Sequence, residues 1–485
     1  MIKLSQTKKN VLLQTAYQIA AIIIPFITAP YISRTLGSHN VGVYSYSYSV
    51  VNYFMIFSML GIDIYGVREI AKVKDEREKI NQKFSEIYFS HVIVSVIVLL
   101  IYIVFAICHK GMYRTIFLMQ TLYIIGELMN INWAFIGLSQ FRITVVRNLI
   151  VKFATIIAIF IFVKDSSDIY KYIIIMAAGT CISTSAVWIV RKKYFQFTSI
   201  DKKKALLHIK PLLILFISIV AGSINRMLDK TMLGWFNYYS ELGCYEYADK
   251  FVRMPVSVIT AVGTVMLSKT STMTKSGQKN KKTRVFAMTL RYVSAFASLF
   301  VFGFMTFGKD FSVLYFGKEF ELTGSLLMIL SVSLLFIAWS TTFKTQYFLP
   351  HGMDKLFAML TSLSALSNVI MNIILIPRFG AFGAAIATDI SYLLLLLSEV
   401  FISGKNISPK TFFQNSIIPM LLGLPSFLIF MFALKGKLKT WYELILAILI
   451  FSSIYVVFFV LYMASTHTIK FKKISKSDYK EGRNG

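Results

Sequence analysis

The sequence predicts an all-α polytopic membrane protein with about fourteen transmembrane helices. Of its 485 residues, 56% are hydrophobic, and the mean hydropathy of +0.65 is well above that of a soluble globular domain. The apolar residues also lie in runs of roughly twenty, which is the helix length that crosses a hydrocarbon layer of about 30 Å. The connections between the runs are too short to fold as soluble domains.

The apolar runs divide into two groups of six and a final pair. We expect spans near residues 11–33, 43–65, 84–108, 113–137, 143–163, 171–190, 211–236, 243–268, 286–308, 324–348, 357–377, 382–402, 415–434 and 441–463. Two halves of six spans are typical of transporters that are built from internal repeats, with the substrate site between the halves. The predicted organisation is an N-terminal bundle (1–190), a basic cytoplasmic linker (191–210), a C-terminal bundle (211–402), and helices 13 and 14 with a basic tail (403–485).

The distribution of basic residues predicts the orientation. The formal net charge is +28, and the connections on one side hold about three times as many Lys and Arg residues as those on the other. Because basic loops stay in the cytoplasm, both termini are predicted to be cytoplasmic. The positive charge is therefore an orientation signal, and we expect no nucleic acid partner.

A weak internal repeat supports the division into halves. Gly42-Val-Tyr44-Ser-Tyr46 opens the second predicted span, and Gly243-Cys-Tyr245-Glu-Tyr247 opens the eighth. In this register, Ser45, Ser49 and Asn52 correspond to Glu246, Lys250 and Arg253.

Seven charged residues in the apolar hairpin from Pro211 to Ser268 are the main candidates for a functional site. The seventh span holds Arg226, Asp229 and Lys230, and the eighth holds Glu246, Asp249, Lys250 and Arg253. Their spacing places each set on one helical face. Because a charge in mid-membrane costs about 2.5–3.5 kcal/mol, we expect these side chains to face one another, water or a polar ligand.

Two interpretations of these charges stay open. The i, i+4 pairs Glu246–Lys250 and Asp249–Arg253 can neutralise each other within the helix. Alternatively, the Arg and Lys side chains bind phosphate oxygens, while Asp229 and the two other carboxylates hold those cations or carry a coupling ion. In the predicted topology the charges lie in the outer half of the membrane, and we expect them to line a cavity open to the exterior.

Other spans supply further candidates for substrate binding. Arg34 is expected at the same depth as the charged hairpin, and Lys152 is one of the few cations within a predicted span. Tyr44 and Tyr48 are candidates for stacking on sugars, although tyrosines also anchor helices at the membrane interface. Asn52 lies on the same span, at the repeat position of an arginine in the second half.

Polar residues on the eleventh and twelfth spans are open to two interpretations. Ser364, Asn368 and Asn372 lie on one face of the eleventh span, and Asp389 lies on the twelfth. Asp389 is a candidate for ion coupling. Polar residues at helix contacts equally serve to tie helices together.

The sequence contains no recognised catalytic or cofactor motif. Cys108, Cys181 and Cys244 are isolated in apolar runs and predict neither disulfides nor a zinc site. The run from Gly303 to Lys309 fits the start of a phosphate-binding loop, but Asp310 follows where Ser or Thr should bind magnesium. We therefore expect no enzyme activity, no metal site and no cofactor.

Three segments resemble the Wzx flippases, which export lipid-linked polysaccharide repeat units in bacteria. They are PFITAPYISRTLGSHNVGVYSYSYSVVNYFMIFSMLGIDIYGVREIAK (25–72), NINWAFIGLSQFRITVVRNLIVK (130–152) and LDKTMLGWFNYYSELGCYEYADKFVRMP (228–255). The resemblance implies a MATE-like fold, with two six-helix bundles in an inverted V that rock against each other. It also implies an undecaprenyl-diphosphate-linked oligosaccharide as substrate, a bacterial plasma membrane location, and coupling to a proton or sodium gradient. The family's cationic cavity matches Arg34, Arg226, Lys230, Lys250 and Arg253 here.

The sequence therefore favours a flippase for a capsule or similar surface polysaccharide. Its expected partners are the lipid-linked oligosaccharide, membrane lipid, H⁺ or Na⁺, and the polymerase and glycosyltransferases of the same pathway. One alternative is a MATE-type multidrug exporter, for which an acidic cavity is expected. Others are a flippase for lipid II or a teichoic acid precursor, and a membrane polymerase, which needs longer exterior loops.

Overall fold

The computed structural model describes residues 6–275, 278–404, 407–434, 438 and 440–465. Outside this description are the side chains of residues 6–22, 214, 215, 217, 218, 221, 222, 224–226, 275, 279, 280, 433 and 434. The regular structure of the described residues is helical throughout, and ten of their helices are long and apolar enough to cross a membrane. The all-α polytopic fold is thus confirmed, and the count of fourteen spans stays a prediction.

Seventeen α-helices follow one another in the described residues. They are α1 (Gln6–Met59), α2 (Ile62–Lys72), α3 (Arg77–Cys108), α4 (Gly111–Leu128), α5 (Asn132–Gly137), α6 (Phe141–Phe162), α7 (Ile169–Ser185), α8 (Trp188–Tyr194), α9 (Lys202–Leu207), α10 (Ile209–Trp235), α11 (Tyr239–Lys275), α12 (Lys279–Phe316), α13 (Glu321–Phe343), α14 (Asp354–Ser403), α15 (Pro409–Leu421), α16 (Gly423–Leu434) and α17 (Trp441–Ser465). A short π-helix, Lys344–Phe348, follows α13.

Two of the longest helices each contain two limbs. Gly37 interrupts α1 with φ 76°, and Gly380 interrupts α14 with φ 53°. Glycine reaches positive φ without the clash that a Cβ atom causes, so the chain turns sharply at both positions. These turns lie where the sequence predicts the connections between spans 1 and 2 and between spans 11 and 12.

The lipid-facing and inward-facing sides of the helices differ as expected for a membrane bundle. On α3, for example, Ile97, Leu100 and Ile101 are exposed, whereas Ser90 and His91 are fully buried. Apolar side chains are stable in contact with acyl chains, and polar side chains are stable only where protein or water surrounds them.

The basic linker between the halves is docked on the N-terminal helices. Asp201 caps α9 by accepting a hydrogen bond from the backbone N–H of Lys203 at 2.9 Å. Ser90 of α3 donates to the carbonyl of Ala205 at 2.6 Å, and Nδ1 of His208 lies 2.5 Å from the Tyr65 hydroxyl. The linker therefore holds the start of α10 against the N-terminal helices, a contact that its basic composition does not predict.

The N-terminal helices (α1–α8) and the C-terminal helices (α10–α17) meet at one end of the molecule. Apart from contacts of the linker, hydrogen bonds between them in the described part of the chain connect residues 26–53 with residues 231–247 and 314–319. We call this region the closed end. According to the charge count it is the exterior end.

Two glycines allow this close approach. A Cβ atom on Gly42 would lie 1.7 Å from the carbonyl oxygen of Tyr239, and one on Gly243 would lie 2.0 Å from that of Ser38. Gly42 and Gly243 are matching positions of the internal repeat, and they touch across the interface between the halves. The two helices pack backbone to backbone there because neither residue carries a side chain.

Candidate functional site

Five of the charged hairpin residues form one chain of ion pairs. The Lys230 ammonium lies 2.7 Å from the carboxylate of Glu246 and 3.0 Å from that of Asp249. Glu246 also pairs with Lys250 at 2.8 Å, and Asp249 with Arg253 at 2.7 Å. Three cations therefore share two carboxylates, which leaves one net positive charge. The i, i+4 pairs that the sequence suggests are present, and Lys230 joins them into one network.

This ion-pair network lies at the interface between the halves. Ser45, the repeat counterpart of Glu246, donates a hydrogen bond to the Glu246 carboxylate at 2.8 Å. Close by, Ser49 and Thr231 share a hydrogen bond of 2.9 Å. The network therefore lies beside the closed end, with Lys230 and Asp249 buried. Hydrogen bonds join the halves at this end, so the expected vestibule between the charged faces is closed in this conformation, and the charges pair with one another.

Asp229 lies apart from this network, in a buried polar pocket of the C-terminal helices. Its carboxylate accepts hydrogen bonds from Tyr245 at 2.7 Å, Thr388 at 2.7 Å and Asn372 at 2.6 Å. Asn372 also donates to Asn368 at 3.1 Å, and its own Oδ1 is buried without a described partner. No described side chain forms an ion pair with Asp229; the side chain of Arg226 lies outside the described residues. Three hydrogen-bond donors, one from α11 and one from each limb of α14, thus converge on one buried carboxylate.

A cavity between the halves contains two lysines. Its volume is about 420 Å³, and Lys152 of α6 and Lys250 of α11 face it from opposite halves. The Lys250 side chain is 45% exposed although it pairs with Glu246. The other lining residues include no carboxylate; they are Ile24, Pro25, Thr28, Ala29, Ile32, Asn132, Asn148, Val151, Thr155, Ile156, Ile159, Tyr172, Met176, Gly179, Thr180, Ser183, Thr184, Tyr247, Phe251 and Met254.

An apolar groove adjoins this cavity. Its volume is about 330 Å³, and it shares Phe251 and Met254 with the cavity. The remaining lining residues come from α1, α11, α12 and α17: Phe26, Pro255, Leu299, Phe300, Gly303, Phe304, Phe307, Gly308, Phe311, Ile448, Phe451 and Ser452. A basic polar compartment and an apolar compartment therefore lie on either side of one segment of α11.

The remaining predicted site residues lie away from the cavity lining. Arg34 is at the closed end, where its guanidinium donates to the carbonyl of Leu314 at 2.6 Å. Tyr44 shares a hydrogen bond of 3.0 Å with Tyr123 and stacks on Tyr48. These three residues make contacts within the protein.

Two further predicted residues also contact the protein: Asn52 is hydrogen-bonded to the Tyr48 side chain, and Asp389 to the backbone of Ser333. Asn52 is half-buried on α1. Asp389 is half-buried on α14, and its Oδ1 is buried without a described partner.

Sequence reasoning missed the neutral polar side chains of the cavity. Asn148, Thr155 and, on α7, Thr180 and Ser183 carry no charge, so nothing marked them within their apolar spans. The available signal was their spacing, because residues 148, 152 and 155 repeat at i, i+4 and i+7 and thus lie on one face of α6.

These features define the class of the protein: a multi-pass helical membrane protein with a MATE-like fold. The fold matches the structure titled "Lipid II flippase MurJ, inward closed conformation" with a TM-score of 0.73 and 17% identity, covering 94% of this chain and 99% of that chain. It also matches a crystal structure of a mutant of the Vibrio cholerae MATE transporter VcmN, with a TM-score of 0.51, 13% identity and coverage of 84% and 99%.

The chain belongs to the family described as "Polysaccharide biosynthesis protein", whose profile matches residues 7–268, more than half of its length. A relative from Shigella dysenteriae, described as "Putative O-antigen transporter", is 24% identical over 400 residues, which cover 81% of this chain and all of that protein. The resemblance to the polysaccharide flippases is thereby confirmed.

Proposed function

We propose that this protein is a flippase that moves undecaprenyl-diphosphate-linked oligosaccharides across the bacterial plasma membrane, for the synthesis of a capsule or another surface polysaccharide. The observation that carries this proposal is the basic cavity that directly adjoins an apolar groove. Such a pair of compartments fits a substrate with an anionic, sugar-bearing head and a hydrocarbon tail.

The two cavity lysines fit the anionic part of this substrate. Lys152 and Lys250 approach from opposite halves, and the described residues that line the cavity with them include no carboxylate. Lysine is a strong phosphate ligand because its ammonium carries a compact charge and three donors. A diphosphate held between them would also reduce their mutual repulsion and draw the halves together. Lys230 and Arg253 are committed to ion pairs and would support Lys250 by holding Glu246 and Asp249 in place.

The apolar groove fits the lipid part. Phenylalanine side chains dominate its lining, and α17 closes one side of it. A prenyl chain lying there gains about 25 cal/mol for each Å² that it withdraws from water, but little when it leaves lipid. The groove would therefore guide the tail at almost no cost, while the polar head occupies the cavity. In this proposal, the appended C-terminal helices, through α17, help to guide the lipid tail.

The closed end supports an alternating-access cycle. With the halves joined at the predicted exterior, the cavity would receive the lipid head from the cytoplasmic side, in keeping with cytoplasmic termini. Separation of residues 26–53 from residues 231–247 and 314–319 would then release it to the outer leaflet. The ion-pair network and the glycine contact lie where that separation would occur.

Asp229 is the best candidate for the coupling ion. No cation among the described residues pairs with this buried carboxylate, which leaves its negative charge available to a bound cation. Sodium prefers oxygen ligands; the hydroxyl oxygens of Tyr245 and Thr388 contact Asp229, and the Oδ1 atom of Asn372 has no described partner. Glu246 and Asp249 are less suited because lysine and arginine already occupy them. Asp389 stays a second candidate.

Reconstituted transport tests the proposal. Purified protein in liposomes with an undecaprenyl-diphosphate-linked disaccharide is assayed for movement of the sugar to the opposite leaflet, measured by its accessibility to a membrane-impermeant lectin. We expect Lys152→Gln and Lys250→Gln each to lower the rate about tenfold, since a charged hydrogen bond contributes about 1.5–3 kcal/mol. The matched control is Lys309→Gln, which removes an exposed lysine outside the cavity.

The same assay separates the alternatives. Unchanged transport in the Lys152→Gln, Lys250→Gln double variant would contradict the cavity assignment. Faster movement of lipid II or of a teichoic acid precursor than of the disaccharide lipid would assign a different cargo to the same cavity. Efflux of a cationic dye without movement of any lipid-linked sugar would favour the multidrug exporter, although the cavity lacks the carboxylates that such cargo needs.

A further inference from the structure

A cluster of neutral polar side chains lies next to the cavity lysine of α6. Arg147 donates from the same guanidinium nitrogen to Oδ1 of Asn148 at 2.6 Å and to Oδ1 of Asn132 at 3.0 Å. Ser183 of α7 donates to the same Oδ1 of Asn148 at 2.7 Å. Asn132, Asn148 and Ser183 all line the cavity.

These contacts determine which way the Asn148 amide points. An asparagine side chain has one acceptor oxygen and one NH₂ donor group. Since Arg147 and Ser183 both donate to the oxygen, the NH₂ group must point away from them. No described residue accepts a hydrogen bond from this NH₂ group, and the side chain is half-buried in the cavity wall. Asn148 thus presents a donor with a fixed direction.

The Asn148 donor lies one helical turn from the cavity lysine Lys152. Asn148 precedes Lys152 by four residues on α6, which places it one turn away, about 6 Å along the helix axis. A diphosphate bound at Lys152 would have its attached sugar at about this distance. Thr180 of α7 lies on the same wall, one turn from Ser183.

We propose that Asn132, Asn148 and Ser183 form a subsite for the sugar bonded directly to the diphosphate, and that Arg147 acts as the positioning residue for the two asparagines. The inference rests on the proposed flippase function. The subsite has amide donors and a hydroxyl and no carboxylate, so it fits the hydroxyl or acetamido oxygens of an uncharged sugar. Selectivity arises because a sugar without the matching acceptor leaves the Asn148 NH₂ group unpaired.

Binding measurements on the full-length protein in nanodiscs test this subsite. The probes are farnesyl diphosphate and its conjugates with N-acetylglucosamine, N-acetylgalactosamine, glucose and galactose. We expect at least one conjugate to bind the native protein about fivefold or more tightly than farnesyl diphosphate. In Asn148→Ala this ratio should fall to near one, while the affinity for farnesyl diphosphate changes less than about twofold.

Further variants separate the subsite from a structural tie between α6 and α7. Ser183→Ala should lower the ratio in the same way, whereas Ser398→Ala, at a half-buried serine of α14 outside the cavity, should not change it. Asn148→Asp, which keeps the shape but replaces the donor, covers the case in which Asn148→Ala does not fold. Lys152→Gln should weaken binding of all probes equally.

The outcomes are distinct. If Asn148→Ala and Ser183→Ala lower thermal stability but keep the ratio, the cluster is only structural and the subsite is refuted. If no conjugate binds the native protein more tightly than farnesyl diphosphate, the subsite is also refuted, although the diphosphate site stands. If farnesyl diphosphate itself does not bind, the flippase proposal fails and the subsite fails with it.

Discussion

The closed end depends on two glycines, so a single added methyl group should shift the conformation of the whole molecule. In Gly243→Ala, the new Cβ atom would lie 2.0 Å from the carbonyl oxygen of Ser38, whereas ordinary contacts begin at 3.4 Å. The halves therefore have to separate by more than about 1 Å at this point, which is incompatible with the present packing.

The expected magnitude follows from this overlap. Overpacking of a tight interface costs about 1–3 kcal/mol, and the strain is relieved when the halves separate. The equilibrium between the closed end and an opened form should thus shift by about 5- to 150-fold toward opening. A second variant, Gly42→Ala, approaches the Tyr239 carbonyl even more closely and should act in the same direction.

Spin labels on the two halves measure this shift. His39 and Lys318 are exposed on opposite sides of the closed end, and cysteines at these positions, in a background without the native cysteines, report the distance by pulsed electron paramagnetic resonance. We expect a short distance in the native protein and a larger population of long distances in both glycine variants. Gly303→Ala is the matched control, because nothing lies within 4 Å of its added Cβ atom. Unchanged distances in folded Gly42→Ala and Gly243→Ala would refute the reasoning.

Three further predictions concern charged groups. Glu319 accepts a hydrogen bond from the backbone N–H of Ser38 across the halves at 3.1 Å, so Glu319→Gln should weaken the closed end by about 0.3–1 kcal/mol in the spin-label assay. The control is Glu241→Gln: the Glu241 carboxylate accepts from the backbone N–H of Ala381 within one half, so this variant should leave the distances unchanged. Glu246→Gln leaves Lys250 without its carboxylate and Lys230 with only one, and should lower the free energy of unfolding by about 3 kcal/mol in thermal denaturation. The exposed-pair control Glu76→Gln should cost less than about 1 kcal/mol, and equal losses would contradict the network. If Asp229 binds sodium as the coupling ion, NaCl should raise the melting temperature relative to choline chloride. Asp229→Asn should abolish this response while Asp389→Asn keeps it, and a response that survives Asp229→Asn excludes this site.

Much of the site could be located from the sequence because its charges stand out against apolar spans. The hairpin charges, Lys152 and the repeat positions of Gly42 and Gly243 were all recognisable in this way. The sequence did not show how these residues pair with one another. Asp229 is next to Lys230 in sequence, yet it points to Asn372 and Thr388, whereas Lys230 pairs with Glu246 and Asp249. Successive residues of a helix point about 100° apart, so neighbours in sequence can serve separate sites.

The neutral residues show the opposite limitation. Asn148 and Ser183 are ordinary polar residues in apolar spans, and only the packing of α6 against α7 brings them to one wall beside Lys152. Arg34, by contrast, is a cation that we expected in the cavity, whereas in the structure it contacts the end of α12.

The sequence by itself determined that the chain crosses the membrane repeatedly as helices, where most of those helices lie, and which family it belongs to. Hydropathy and helix length are local properties, and water and lipid act on each segment separately. The tertiary structure decided which charges neutralise each other, which lysines face the cavity, and at which end the halves join. Those outcomes depend on distances between helices far apart in the chain, and a contact such as that between Gly42 and Gly243 exists only once both helices are packed.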